Sequence, residues 1–372
     1  MPSVRRKRRP TVRVLVVDDS AVVRRAMTAL IESDPSMKVV DYARNGADAV
    51  EKAKRLRPDL IVMDVEMPVL DGLSALSRIQ VECEDPKPAV VICSGLTSAG
   101  SAEALHAMRL GAADVIAKDP ERLSLAAPER VRTELVARLR AIGEGRARQH
   151  RLLRAPSLTT IRAPSDLDLS IDKFDLLAIG CSTGGPPVLE QIVTALPPDL
   201  PVPVVVAQHM PEMFTRSLSH RLDAQCRVTV VHADQGMPLV AGTVYIIRGG
   251  AHGMVARTPT GRLALTIKTE GCEGYVYKPS VDLLFESIAK TIGGRCLGVV
   301  LTGMGDDGSR GAASLVALGA TILTQNEASC VVYGMPRAIA TAGLSARAMS
   351  PAELADVMSE LSPPPETERR TA

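Results

Sequence analysis

Short apolar runs alternate with segments of helical spacing along two long stretches of the chain, residues 11–142 and 173–361. In the first stretch, apolar side chains at Val22, Ala26 and Leu30 follow the spacing of one helix face. Its strand-like runs are 12–17, 38–42, 60–64, 89–94 and 114–118. Alternation at this interval predicts a doubly wound parallel sheet with helices between the strands.

The second stretch repeats the alternation with a different middle part. Its strand-like runs include 176–180, 202–208, 227–232, 243–247 and 297–302. Residues 239–277 are typical of consecutive short strands with glycine turns, which predicts an antiparallel excursion. The sequence thus predicts an α/β protein of two doubly wound parallel-sheet domains, the first flavodoxin-like and the second Rossmann-like.

Between the two stretches the pattern stops. Residues 143–172 are rich in Arg, Pro, Ser and Thr without sustained periodicity, so we expect a linker there. The basic residues 1–10 and the Pro- and Glu-rich residues 362–372 are expected to be disordered tails.

Composition narrows the class of protein. Aromatic residues make up only 2% of the chain, so the cores must be built from aliphatic side chains and Met. The net charge of +2 includes the basic run 5–9, and the remainder has no basic excess that would indicate nucleic-acid binding. Seven scattered cysteines without a C-x-x-C pair indicate reduced thiols in a cytoplasmic protein, and no run is long enough to insert into a membrane.

Acidic residues follow two strands of the first stretch. Asp18 and Asp19 come directly after the first strand, and Asp64 ends the third. Carboxyl ends of parallel strands meet at one sheet edge, where ligands bind. Three carboxylates there would repel each other unless a hard cation such as Mg²⁺ lies among them.

Two further polar side chains end strands at the same edge. Ser94 ends the fourth strand and Lys118 the fifth, so a phosphoryl group on Asp64 would meet a hydroxyl and an ammonium group. Each Asp taken alone is equally compatible with a helix cap. Polar groups at so many strand ends together favour a phosphoryl-accepting pocket.

These residues resemble the receiver domain of bacterial two-component response regulators. The matching text is VLVVDDS at 14–20, LIVMDVEMPVLDG at 60–72, Ser94 and Lys118. The resemblance implies that Asp64 accepts a phosphoryl group from a partner histidine kinase, with Asp18, Asp19 and the backbone carbonyl of Glu66 around Mg²⁺. Two departures, Val115 in place of an aromatic residue and Asp119 before the proline, bear on how the signal leaves the domain.

A glycine turn carries one serine in the second stretch. The segment GCSTGG at 180–185 follows an apolar run and precedes a helix start, which presents Ser182 at the end of a strand. Such a serine is a nucleophile on an elbow or part of a phosphate-binding loop. The loop lacks a Gly-Lys-Ser/Thr motif, which argues against a nucleotide-binding loop.

Partners for a nucleophile follow at the ends of later strands. His209 ends the next strand, and Asp306 and Asp307 follow the strand 297–302, each also compatible with a turn or cap. The chain order Ser, His, Asp differs from that of the α/β-hydrolases. The turn around Met304 could supply a backbone N–H to an oxyanion.

The second stretch resembles the catalytic domain of the chemotaxis protein-glutamate methylesterases, the CheB family. The matching segments are GCSTGGP at 180–186, QHMP at 208–211, YIIRGG at 245–250, PSVD at 279–282, TGMGDDG at 302–308 and VYGMP at 332–336. The resemblance implies a triad of Ser182, His209 and Asp307, with Met304 contributing to the oxyanion hole and no cofactor for ester hydrolysis.

The same resemblance implies partners and regulation. The substrate would be methylated glutamates, and also glutamine amides, on chemoreceptors, and phosphorylation would open a cleft that the receiver covers. We expect a cytoplasmic monomer. Three alternatives stay open: a regulator with nucleic-acid output, a non-catalytic module with Ser182 in a phosphate loop, and a methylesterase of another chemosensory pathway.

Overall fold

The structure, a computed structural model, describes residues 11–95, 98–118, 128–152 and 169–362. The chain divides into two compact units, residues 1–158 and 159–372. Strands and helices alternate in both units, and the predicted fold class is confirmed. The expected tails at 1–10 and 363–372, Asp119 and most of the expected linker lie outside the described residues.

The first unit is built on a five-stranded parallel sheet of order β2-β1-β3-β4-β5. Its elements are β1 (Val12–Val17), α1 (Ala21–Glu32), β2 (Met37–Ala43), α2 (Gly46–Leu56), β3 (Leu60–Asp64), α3 (Gly72–Glu82), β4 (Ala89–Ser94), α4 (Ser98–Arg109), β5 (Asp114–Ala117) and α5 (Glu129–Leu152).

Burial and capping explain why these residues form these elements. Every residue of β3 and β4 is buried, as expected for central strands covered on both faces. Ser20, Asn45 and Asp71 begin α1, α2 and α3, and each side chain accepts a hydrogen bond from the backbone N–H three residues later.

Helix α5 corrects the expected start of the linker at residue 143. It continues without a break from Glu129 to Leu152, through the glycine that suggested its end. A Cβ added at Gly143 would lie 2.2 Å from Cγ1 of Val12, so the missing side chain lets the helix lie against β1. Gly143 is therefore a packing residue here and not a helix terminator.

The second unit is built on a seven-stranded parallel sheet of order β14-β13-β12-β6-β7-β9-β8. Its strands are β6 (Leu176–Cys181), β7 (Val204–Gln208), β8 (Thr229–Ala233), β9 (Thr243–Ile247), β10 (His252–Arg257), β11 (Leu263–Lys268), β12 (Cys296–Val300), β13 (Thr321–Gln325) and β14 (Arg347–Met349). Its α-helices are α6 (Gly185–Ala195), α7 (Glu212–Asp223), α8 (Val281–Ile292), α9 (Ser309–Val316), α10 (Met335–Thr341) and α11 (Pro351–Ser359).

The antiparallel excursion is smaller than residues 239–277 suggested. Among the described residues, β10 and β11 are the only strands that pair antiparallel, as a separate two-stranded sheet, and an isolated antiparallel bridge joins Pro238 to Ala264. β9 instead joins the main sheet in parallel with β7 and β8. The residues from Thr269 to Pro279 form no strand and lead to the start of α8, which a pattern of glycine turns does not distinguish from a hairpin.

Both sheets have a topological switch point. In the first, the chain leaves the adjacent strands β1 and β3 towards opposite edges. In the second, β6 and β12 are adjacent, and the next strands β7 and β13 lie on opposite sides of them. A crevice opens at the carboxyl ends of such strands, so candidate sites are expected after β1 and β3 and after β6 and β12.

Candidate active site and phosphoryl pocket

Ser182 lies directly after β6, at the switch point of the second sheet. Its backbone N–H donates to the Thr302 carbonyl at 3.0 Å, and its carbonyl accepts from Gly185 at 2.8 Å, where α6 begins. The side chain is half-buried. A Cβ added at Gly303 would lie 2.8 Å from Cβ of Ser182, so only glycine allows the two turns to approach this closely.

His209 follows β7, the strand beside β6. Its backbone N–H donates to the Cys181 carbonyl at 3.0 Å, which fixes it next to the serine turn. Its Nε2 lies 2.8 Å from Oδ2 of Asp307, whereas its Nδ1 is buried with no hydrogen-bond partner among the described residues. Since Nε2 faces a carboxylate, we assign the proton to Nε2 and the free lone pair to Nδ1.

The hydrogen bonds of the described residues include none between Ser182 Oγ and His209. Contacts of this kind are often long in an enzyme without substrate and shorten in the complex. Ser182 and His209 therefore lie at the ends of adjacent strands, and we expect the hydrogen bond between them to form when substrate binds.

Asp307 is the buried acid of this group, and Asp306 beside it is exposed. Besides His209, its carboxylate accepts hydrogen bonds from Ser280 Oγ at 2.9 Å, from Val281 N at 2.7 Å and from Asp282 N at 3.0 Å. Burial acts to raise the pKa of Asp307, but His209 and the donors of α8 outweigh it and hold that pKa below its ordinary value.

The N-terminus of α8 thus serves as a socket for a carboxylate. Ser280 is its N-cap and accepts from Leu283 N while donating to Asp307. Free N–H groups at a helix start favour negative charge. An ionised Asp307 fixed in this way can orient His209 and stabilise an imidazolium.

Gln208 binds the backbone on both sides of the site. Its side-chain amide donates to the carbonyls of Ser182 at 3.1 Å and His209 at 3.3 Å, and its oxygen accepts from the Cys181 thiol at 2.9 Å. Burial raises the pKa of the Cys181 thiol, so Cys181 is a packing residue and not a nucleophile. No role for Gln208 is predicted from the sequence, because a buried amide at a strand end has no distinctive pattern.

Met304 lies in the turn after β12, half-buried and next to Gly303. Its backbone N–H makes none of the hydrogen bonds found among the described residues, so it is available to an oxyanion.

The ring of Tyr277 stacks on the ring of His209, with centroids 4.5 Å apart. This contact is not predicted from the sequence.

The acidic pocket forms in the first unit. Asp18, Asp19 and Asp64 each offer a carboxylate oxygen within 4.8 Å of the others. Lys118 Nζ lies 2.5 Å from Asp64 Oδ2 and 3.1 Å from Asp18 Oδ2. Burial raises the pKa of Asp64, Lys118 opposes this, and Asp18 adds to the rise. Three carboxylates and one ammonium group carry an excess of negative charge, which a divalent cation bound there would neutralise.

The remaining predicted pocket residues lie around this cluster. Ser94 is buried at the end of β4, and its carbonyl accepts from the Lys118 N–H at 2.7 Å, which joins the ends of β4 and β5. The side chain of Glu66 is exposed, and the ligand expected from it is its backbone carbonyl. Arg24, which sequence analysis does not single out, donates to the carbonyls of Asp18 and Asp19 and so holds the acidic turn.

Family models match both units of the chain. Residues 177–358 match the family model described as CheB methylesterase, and residues 14–127 match the one described as response regulator receiver domain. No helix within the described residues has the length and apolar character needed to cross a bilayer.

Relatives resemble the chain over nearly its whole length. A protein-glutamate methylesterase/protein-glutamine glutaminase of Idiomarina loihiensis is 41% identical, covering 91% of this chain and 95% of that protein. The protein-glutamate methylesterase/protein-glutamine glutaminase of Aliivibrio fischeri is 40% identical, covering 93% and 98%. One from Oleidesulfovibrio alaskensis is 40% identical, covering 90% and 95%. The chain therefore belongs to the CheB family of protein-glutamate methylesterases, with a receiver domain preceding the methylesterase domain.

Proposed function

We propose that this protein hydrolyses the γ-methyl esters of glutamate side chains on chemoreceptors and releases methanol. The observation that carries the proposal is the pair of His209 and Asp307, 2.8 Å apart beside the turn of Ser182. Nδ1 of His209 is buried and has no hydrogen-bond partner among the described residues. The names of the relatives support the substrate class.

The first half of the reaction forms an acyl-enzyme. Ser182 Oγ attacks the ester carbonyl carbon while His209 Nδ1 takes the hydroxyl proton. The carbonyl oxygen becomes an oxyanion, to which the Met304 N–H donates. His209 then gives its proton to the methoxy oxygen. The bond between that oxygen and the carbonyl carbon breaks, and methanol leaves.

The second half restores the enzyme. Water attacks the acyl carbon while His209 takes a proton from the water. His209 then gives this proton to Ser182 Oγ, and free glutamate is released. Asp307 stays ionised in both halves and stabilises the imidazolium. A glutamine amide would follow the same route with ammonia as leaving group, in agreement with the second activity in the relatives' names.

Methanol release from methylated receptor membranes tests the hydrolysis. We expect activity in the wild type and none above background in Ser182→Ala. Ser309→Ala is the matched control, because Ser309 begins α9 after the Asp307 turn and its hydroxyl makes none of the hydrogen bonds found among the described residues. Release that persists in Ser182→Ala would show that Ser182 is not the nucleophile and would favour an inert phosphate loop.

We further propose that a histidine kinase phosphorylates Asp64 and that this raises the esterase activity. Asp18, Asp19, Asp64 and the Glu66 carbonyl would hold Mg²⁺, which would neutralise charge on the phosphoryl oxygens. Lys118 and Ser94 would bind those oxygens. Two contacts support this: Lys118 Nζ contacts Asp64, and the Lys118 N–H donates to the Ser94 carbonyl.

Acetyl phosphate with the full chain tests this control. We expect stimulation of methanol release in the wild type, its loss with a Mg²⁺ chelator, and its loss in Asp64→Ala and Asp19→Asn. Glu66→Gln is the matched control, because Glu66 is expected to act through its backbone and should keep the response. Equal stimulation in Asp64→Ala would contradict the assignment of the phosphorylation site.

A further inference from the structure

We infer that Tyr277 is a positioning residue of the catalytic machinery. It fixes the imidazole of His209 relative to the turn that carries Met304. The inference rests on the proposed function and adds to it a side chain outside the Ser, His, Asp group. It is carried by three separate contacts of one segment, residues 277–282.

The first contact is a parallel ring stack. The rings of Tyr277 and His209 have centroids 4.5 Å apart and planes inclined by 11°. His209 is otherwise held at only one ring atom, by the bond from Nε2 to Asp307, because Nδ1 has no partner among the described residues. A single hydrogen bond does not fix the plane of a ring, whereas a parallel stack on a second ring restricts it.

The second contact joins Tyr277 to the turn after β12. A Cβ built on Gly305 would lie 3.2 Å from the Tyr277 hydroxyl oxygen, so the tyrosine lies directly over this backbone. Gly305 has φ +85° and follows Met304, whose N–H is the proposed oxyanion donor. The same side chain therefore bounds both the base and the turn that carries the donor.

The third link is the chain itself. Three residues after Tyr277, Ser280 donates to Asp307, and the N–H groups of Val281 and Asp282 follow. The segment thus sets the carboxylate that binds Nε2 and also the ring that faces the imidazole. Displacing it would disturb the plane and the hydrogen bond of His209 together.

The stack also suits the charge that develops in the reaction. His209 becomes an imidazolium as it takes the proton of Ser182, and the face of an aromatic ring attracts a cation. The contact is then stronger in the transition state than in the ground state. Such an interaction raises kcat and leaves KM nearly unchanged.

Substitution at Tyr277 in the full chain tests the inference. We expect Tyr277→Leu to lower kcat for methanol release about tenfold, the order of an aromatic pair, with KM changed by less than about twofold. Tyr277→Phe keeps the ring and should remain within about threefold of the wild-type kcat. Tyr275→Leu is the matched control: Tyr275 lies two residues away, donates to Glu286 and does not stack on His209.

A second measurement separates this inference from the proposed substrate. A fluorophosphonate phosphonylates an activated serine hydroxyl with loss of fluoride, so its rate of reaction with Ser182 reports activation without any receptor. We expect the same order of variants, with wild type and Tyr277→Phe fast and Tyr277→Leu slow. If receptor membranes give no methanol with the wild type but this order holds, the proposed function fails and the positioning role stands.

Other results would overturn the inference. A Tyr277→Leu variant as fast as wild type in both assays would show that the stack does not matter. A Tyr277→Phe variant as slow as Tyr277→Leu would assign the effect to the hydroxyl. A raised KM with unchanged kcat would make Tyr277 a substrate contact. If Tyr277→Leu fails to unfold cooperatively, Tyr277→Met takes its place and is judged by the same criteria.

Discussion

Two hydrogen bonds of 2.5 Å join the guanidinium of Arg138 in α5 to the carboxylate of Asp114 on β5. Asp114 is buried, and its neighbours along the strand lead to Lys118 in the phosphoryl pocket. The pair fastens the last helix of the first unit to the strand that carries the pocket's ammonium group.

Removing the carboxylate of this pair should destabilise the first unit. The Arg138 side chain is only 31% exposed, and Asp114→Ala removes its carboxylate partner. We therefore expect the unfolding free energy to fall by about 2–3 kcal/mol. Glu84→Ala is the control, because Glu84 pairs with Arg57 at the surface and should cost less than about 0.5 kcal/mol. Calorimetry of the full chain measures both, and equal effects would contradict the structural role of the buried pair.

The exposed Val69 adopts a backbone conformation that suits glycine. It has φ +71°, is 84% exposed, and lies within a turn in which Leu70 N donates to Pro68 O. Because a β-branched residue is strained there, Val69→Gly should stabilise the first unit by about 0.5–1 kcal/mol. The equally exposed Val81 lies in α3, and Val81→Gly should cost a few tenths of a kcal/mol. The two substitutions should therefore shift the calorimetric midpoint in opposite directions, and a common direction would argue against strain at Val69.

The adjacent acids Asp306 and Asp307 should differ sharply in effect. Asp307→Asn keeps the shape but loses the charge that orients His209, and we expect kcat to fall about 10³- to 10⁴-fold. Asp306→Asn changes an exposed neighbour and should stay near the wild-type rate. Methanol release from receptor membranes compares the two. A large loss in Asp306→Asn with an active Asp307→Asn would reverse the assignment.

Buried His252 should make the second unit sensitive to acid. It is fully buried, and neither ring nitrogen has a partner among the described residues. Burial, helped by Lys278, lowers the pKa of His252 below its ordinary value of 6.5. Between that lowered pKa and 6.5 the unfolded chain binds more protons than the folded one, so stability falls as the pH falls below about 6.5.

Replacing that ring should weaken the acid sensitivity. We expect His252→Met to flatten the decline of the midpoint between pH 6.5 and pH 5, while His220→Gln at an exposed position leaves it unchanged. Differential scanning calorimetry at several pH values gives both slopes. An unchanged slope in His252→Met would mean that another group controls the acid transition.

The fold class and the proposed site residues can be predicted from the sequence largely because the polar residues of the site come at or just after the ends of strands. Ser182, His209 and Asp307 each follow an apolar run, and parallel strands bring such ends to one edge. Their roles come from the family resemblance, since the residues alone leave Asp306 and Asp307 equivalent. Burial then distinguishes the two acids, because only Asp307 lies in the socket of α8.

What the sequence does not predict depends on packing between distant segments. Gly143 suggests a helix end, but its missing side chain is used against Val12, more than a hundred residues away. Tyr277 lies in a segment without periodicity, and its partner His209 belongs to another strand. Gln208 and Arg24 bind backbone carbonyls, a contact that leaves no repeat or spacing in the sequence.

The continuous helix α5 has a mechanical consequence. Its 24 residues make a rod about 36 Å long, and helices resist bending over such lengths. Arg138, about 14 Å from the start of the helix, is fixed to Asp114, and Gly143 packs against Val12 of β1. Leu152 lies about 14 Å beyond Gly143. A tilt of about 10° about the contact of Gly143 with Val12 would therefore displace Leu152 by about 2 Å. A small change in the angle between α5 and the sheet would thus move the end of the helix by about the size of an atom.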